Sequence, residues 1–160
     1  MALDSAQLAI DIQAVLDSFP ATPAIAADGF AAAYTTYANT GLFGASTPVI
    51  PGSATTTMAA TLATSLAVPG AAPVHAAAWS AAVLAFWSAP PIAVVGPQVG
   101  AVTSAPGPPS ITAAMTAILV NLTNTSATAA AGIAAALHAG TSGGIIATVA
   151  PPPGAMVPIA

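Results

Sequence analysis

Two histidines, His75 and His138, and four carboxylates, Asp4, Asp11, Asp17 and Asp28, are the side chains in this 160-residue sequence that could bind a metal or exchange a proton near neutrality. A metal held by either imidazole needs further ligands, yet all four Asp fall in the first 28 residues, far along the chain from both rings. Cysteine is absent, which removes thiolate sites and disulfide staples. His75 falls near the start of one expected helix and His138 at the end of another. There a protonated imidazole favours the negative end of the helix dipole, so His138 reads as a C-terminal cap. Asp4 and Asp11, seven apart, share a helix face, and a solvated polar edge accounts for them. Acid–base work by paired carboxylates would need one of them in an apolar pocket, and the spacing supplies none.

Hydroxyls are plentiful, but a nucleophilic serine needs a base within hydrogen-bond reach and a third group to orient it. No Ser–His–Asp arrangement follows from these positions, and Gly-x-Ser-x-Gly is absent. No glycine run ends in lysine, so the phosphate-cradling loop with its cation is missing too. Asn121-Leu122-Thr123 and Asn124-Thr125-Ser126 match the glycosylation acceptor pattern, which a Thr-rich chain produces by chance. The expectation is a non-enzymatic protein with no catalytic residue, no metal and no cofactor.

The elements that must position these residues belong to an unusual composition. Lysine and arginine number 0, charged residues make up 2%, and the net charge is −4. Without cations there is no counterion-release route to DNA or RNA, so nucleic acid is excluded as a partner. Hydrophobic residues reach 56%, but alanine dominates, and the apolar payload sits in scattered larger side chains. A surface without mixed-sign charge lacks the usual device for staying dispersed. Self-association, or association with other structural proteins, is the expected state. Met1-Ala2-Leu3-Asp4 offers no cationic n-region, so a conventional secretory signal is not expected.

A repeat organises the rest. Leu8, Ile12 and Leu16 correspond to Met58, Leu62 and Leu66 at a shift of 50, and these to Ile111, Met115 and Leu119 at a further 53. Phe30, Tyr34 and Tyr37 correspond to Trp79, Val83 and Phe86 at a shift of 49, then to Ile133, Leu137 and Gly140 at 54. Spacings of four and three place each trio on one helical stripe. The fold expected is mainly α: three tandem helical hairpins, each followed by a Pro/Gly-rich extended or short β segment. One domain then spans 1–160, divided into 1–52, 53–109 and 110–160. Asp4 or Ser5 is expected to cap the first helix, Ser53 or Thr55 to Thr57 the third, and Ser110 the fifth. The second helices are expected over 24–39, 73–88 and 126–139. Short β runs are expected at Ile92 to Val95 and Ile145 to Val149. Pro106 to Pro109 and Pro151 to Gly154 make edge strands or polyproline-like arms that reach neighbours.

A small membrane-associated helical protein is the alternative. The stretches Ala71 to Gly96 and Ala127 to Ala150 are long and uncharged, with Trp79 and Trp87 as interfacial anchors. Pro73, Pro90 and Pro91 interrupt or bound the first, and Gly140, Gly143 and Gly144 break the second. A span needs about 20 strongly apolar residues in unbroken helix.

From Ile133 to Ile146 an Ala-rich helix runs through His138 into a Gly/Thr turn and a β run, followed by Pro151-Pro152-Pro153-Gly154. This last third of the chain resembles small Ala/Gly/Pro-rich structural proteins, virion- or tail-associated, of tailed phages and related contractile assemblies. The resemblance implies a virion or extracellular assembly and transfers no functional residue. The aromatic stripe of Phe30, Tyr34, Tyr37, Trp79, Phe86 and Trp87 is read as core. Trp79, Trp87, Ile145, Ile146, Val149 and Val157 are the expected contacts with neighbours.

Overall fold

The computed structural model describes residues 3–88, 91–104, 108–121, 123–142, 144–150 and 154–160. Among them the order is α1 (Ser5–Asp17), α2 (Pro23–Ala38), β1 (Thr47–Val49), α3 (Gly52–Leu66), α4 (Ala72–Ser88), β2 (Ala93–Val95), β3 (Val99–Ser104), α5 (Pro108–Leu119), α6 (Ser126–Ser142), β4 (Ile146–Ala150) and β5 (Ala155–Pro158). The chain is mainly helical with a small antiparallel sheet.

Local chemistry sets the helix starts. The Gln7 N–H donates to Asp4 Oδ1 at 3.0 Å, capping α1. Thr22 Oγ1 accepts from the Ile25 N–H at 3.3 Å, with Pro23 in the first turn of α2, where no amide proton is required. The expected cap of the third helix is not found: α3 starts one residue after Pro51, with no side-chain cap. Ser53 and Thr55 to Thr57 lie inside it, and the Thr56 and Thr57 hydroxyls donate back to the carbonyls of Gly52 and Ser53 at 3.1 and 2.8 Å. Ser110 does not precede the fifth helix as expected: α5 starts at Pro108 and contains it, and its side chain lies outside the described residues.

Each helix packs on the next along the chain, and α1 packs on α6, so the six form a closed ring. Contacts between successive pairs (α2 with α3, α4 with α5, α6 with α1) are as substantial as those within pairs. The ring therefore has no free end at which a stack would stop. Its interior is one cluster. Buried positions in α2 are 27, 30, 31, 33, 34, 37 and 38; a shift of 49 gives every buried position of α4, and a further 54 every one of α6. Among the described side chains α1, α3 and α5 bury fewer: Leu8 and Ile12, then Met58 and Leu62 with two alanines, then Ile111 and Met115. Small residues set the separations. A Cβ on Gly29 would meet Val15 Cγ2 at 2.9 Å, and one on Gly132 would meet Ile118 Cγ1 at 3.0 Å. Gly140, expected to break a helix, instead sits within α6, because the Ile111 side chain fills the space its Cβ would need.

Five strands follow one another in sheet order β1-β2-β3-β4-β5, all neighbours antiparallel. Pro48, Val94, Gly100, Val149 and Ala155 stand in register on one row; on the next lie Val49, Ala93, Ala101, Thr148 and Met156. The first row turns toward the core and the second toward solvent, as burial of Pro48, Val94 and Val149 and exposure of Val49 and Met156 require. Gly100 permits the close approach of β3 to β4, since a Cβ there would strike the Thr148 carbonyl. After β5 the chain reaches back to the segment before β1. Leu42 and Ala160 exchange both backbone bonds, at 3.0 and 2.9 Å, and Phe43 bridges to Ile159 and to Ser46. The strand circuit is thereby closed through Phe43, and Gly44 at φ 63 makes the tight turn to Ser46. Of the Pro/Gly-rich segments expected to reach neighbours as arms, the strands pair with each other, Pro108 and Pro109 open α5 instead, and 105–107 and 151–153 lie outside the described residues. Among the described residues no helix is long and apolar enough to cross a membrane.

Candidate functional site

Three places gather side chains of chemical interest. The first is inside the ring. Trp87 Nε1–H donates to Tyr34 Oη at 2.8 Å, and Tyr34 Oη lies 2.6 Å from Thr141 Oγ1, joining α4, α2 and α6 through one buried hydroxyl. Phe86 stands edge-on to Tyr34 at 5.0 Å between centroids, and Phe30 to Trp79 at 5.1 Å. Among the described residues no buried side-chain nitrogen or oxygen lacks a partner, as a fully satisfied polar core demands. Burial pushes the Tyr34 hydroxyl up to about 12; the bonds from Thr141 and Trp87 act in the opposite direction with smaller weight. Tyr37 is raised by burial and then by the proximity of Tyr34. A phenol held neutral in this way is a structural bond-former at ordinary pH, since its anion is far from accessible.

Tyr37 Oη also lies 2.8 Å from His138 Nδ1. Which of the two atoms donates follows the tautomer of the imidazole. His138 therefore stitches α6 to α2, and it is not the cap expected of it; α6 continues to Ser142, whose hydroxyl donates to the His138 carbonyl at 2.8 Å.

The second place is the turn between α3 and α4. Ser65 Oγ lies 3.1 Å from His75 Nδ1, both partly buried. This is hydroxyl–imidazole contact at the range a nucleophile and base would use. Among the described residues no carboxylate bonds to His75 Nε2. No group of three or more His, Cys, Asp and Glu side chains that could hold a metal gathers there or elsewhere among them. What the pair does in the structure is clip the end of α3 to the start of α4.

The third place is the end of the ring that carries the turns within helix pairs. Phe19, directly after α1, is 86% exposed and has φ 46. Left-handed backbone at an aromatic residue costs roughly 1 kcal/mol, and glycine normally takes this place after a helix. A pocket of about 460 Å³ opens beside it, lined by Val15, Leu16, Pro20, Ala26, Phe30 and Leu66 among others. Val68 holds the matching place in the second turn, its N–H on the Ser65 carbonyl as that of Phe19 is on Leu16, and is 60% exposed; Val120, at the end of α5, is 59% exposed. Ile25 and Val74, matched in the first turns of α2 and α4, are exposed as well. No family model, curated protein or solved structure matches this chain. The site must be read from its own chemistry.

The residues expected to meet neighbours are placed differently from one another. Trp79, Trp87, Ile145 and Val149 are buried in the chain's own core. Ile146 and Val157 remain partly exposed on β4 and β5. Trp79 and Trp87 are no more available to lipid than to protein. The exposed apolar groups at the turn end went unrecognised in the sequence. The sequence held a partial signal: Phe19 and Val68 each follow the first helix of a pair, large apolar residues where polar turn chemistry is usual.

Proposed function

We propose that the chain is a non-enzymatic structural subunit of a multi-protein assembly, of the virion or tail type or an extracellular fibre, joined to neighbours by apolar, charge-free surfaces. Three tandem units over 1–52, 53–109 and 110–160 build it, each a helical hairpin followed by a Pro/Gly-rich extended or short β segment: β1 in the first, β2 and β3 in the second, β4 and β5 in the third. The shared burial shifts of α2, α4 and α6 support that division.

One observation carries the reading. Phe19, Ile25, Val68, Val74 and Val120 at one end, and Val49, Val95, Val99 and Met156 on the sheet, stand exposed in a chain with no lysine or arginine. Apolar patches beyond a few hundred Å² on a folded protein mark contact surfaces. Partners that meet here do so by desolvation, so salt does not dissociate them.

Sedimentation in detergent-free buffer tests it. The expected result is association that grows with concentration and persists in high salt. A 15.1 kDa monomer that stays monodisperse at high concentration would refute the reading. Partition of the whole population into a detergent phase would favour a membrane-associated protein instead.

A further inference from the structure

We propose that the turn end around Phe19 is a contact between two copies of this chain, in which Phe19 of each enters the pocket beside Phe19 of the other. The inference rests on the structural-subunit reading above and names the surface and the partner.

The first ground is self-complementarity. An apolar knob and an apolar hole lie side by side on one surface: Phe19, 86% exposed, and the pocket of about 460 Å³ formed by Val15, Leu16, Pro20, Ala26, Phe30 and Leu66. A twofold contact requires this juxtaposition, because each copy must present both the inserting group and its receptacle. The hole is ample for a benzyl group. Thr22 also lines the hole, its Oγ1 already accepting from the Ile25 N–H, and no charged side chain does, so a cationic group entering would lose its hydration without an ionic partner.

The second ground is the backbone. Phe19 is the one non-glycine residue at positive φ among the described residues, held there as α1 closes with Ser18 N–H on the Ala14 carbonyl at 3.1 Å and Phe19 N–H on the Leu16 carbonyl at 3.3 Å. The left-handed turn directs the aromatic group out of the ring. Glycine or asparagine would make this turn with less strain and with no apolar group in water. Strain of this kind persists where a side chain has a use.

Area and charge choose a second copy. The five exposed side chains of this end present roughly 500 Å² of apolar surface per copy, so a pairing removes on the order of 1,000 Å² in total, at the lower margin of specific interfaces. The contact is consequently weak and concentration-dependent. A partner held chiefly by cations would seek the carboxylates, of which Asp17, the last residue of α1, stands at this end while Asp4, Asp11 and Asp28 lie farther along α1 and α2. A second copy has no cation to offer them and meets this end by its apolar groups alone. Both copies are anionic, so added salt screens their repulsion and strengthens the pairing.

Sedimentation equilibrium of the full chain and of Phe19→Asn, from micromolar to millimolar concentration, tests the contact. Asparagine tolerates the left-handed region, so circular dichroism and Tm should match or exceed wild type. The expected result is a wild-type mass rising with concentration from 15.1 kDa toward twice that value, more so in salt, and at least a tenfold weaker association for Phe19→Asn. A single thiol at Ala21→Cys, in a chain with no other cysteine, should also give an oxidised dimer that Phe19→Asn suppresses. If both proteins associate equally, this contact is wrong while the structural reading stands on another surface. If wild type remains monomeric throughout, both fall.

Discussion

Raising the pH isolates the ring's interior with unusual clarity. The chain has no lysine, arginine or cysteine, so above the α-amino range its titrating side chains are its two tyrosines. Both are buried. The hydroxyl of Tyr34 is pushed up to about 12 by burial, and that of Tyr37 is raised as well. A raised folded-state value means that the fold holds the proton more tightly than the unfolded chain does. Each tyrosine's contribution is therefore fully present below the unfolded value near 10 and is lost as pH climbs toward the folded one. The loss is about 1.4 kcal/mol per tyrosine per pH unit in that window. Between pH 10 and 12 the two together forfeit about 5 kcal/mol, comparable with the whole stability of an ordinary domain. The fold should give way before either phenol ionises within it. Tyrosinate absorbance at 295 nm and far-UV circular dichroism should change together, in one steep step above pH 10. Tyr34→Phe should roughly halve the pH dependence of the urea midpoint in that window. It should also cost about 2 kcal/mol at neutral pH, because the Trp87 N–H is left without an acceptor. Gradual ionisation centred near pH 10, with the dichroism unchanged, would refute the argument.

Two further tests address helix packing and capping. Gly140→Ala, a change that gains about 1 kcal/mol in a free helix, should destabilise this protein by about 1–3 kcal/mol in urea denaturation, because the new methyl collides with Ile111. Ile111→Val in the same chain should recover part of that loss. Asp4→Ala should lower stability by about 1 kcal/mol through loss of the bond to the Gln7 N–H, seen as a fall in Tm, whereas Asp4→Asn should retain most of it.

The helices were legible because their stripes recur. Leu8 and Ile12, Met58 and Leu62, and the trios built on Phe30, Trp79 and Ile133 announce buried faces by spacing alone, and those faces are buried. Less of the sheet could be read. β2 and β4 carry branched aliphatic runs, but β1, β3 and β5 contain Pro48, Gly100 and Pro158, residues that argue against a strand locally and are accommodated only by their neighbours. Closure of the ring and of the strand circuit depends on pairings between segments at opposite ends of the sequence, which no local window contains. The candidate site was hidden for a related reason. Trp79 and Trp87 suggested contact by their size, yet the helix ring encloses them, while Phe19 took its exposure from a backbone angle that residue types alone do not disclose.

Closure of the ring has a consequence at the ribosome. Tyr34 Oη meets Thr141 Oγ1 across 107 residues of sequence, and the flank of α1 stays bare until α6 has been made. At ordinary translation speed that interval is on the order of 5–20 s. During it the nascent polypeptide offers a vacancy shaped for one helix, and another growing chain carries helices of closely similar shape. Crowded polysomes would thus favour the exchange of helices between molecules, and slow or well-chaperoned synthesis would favour each molecule completing its own circle.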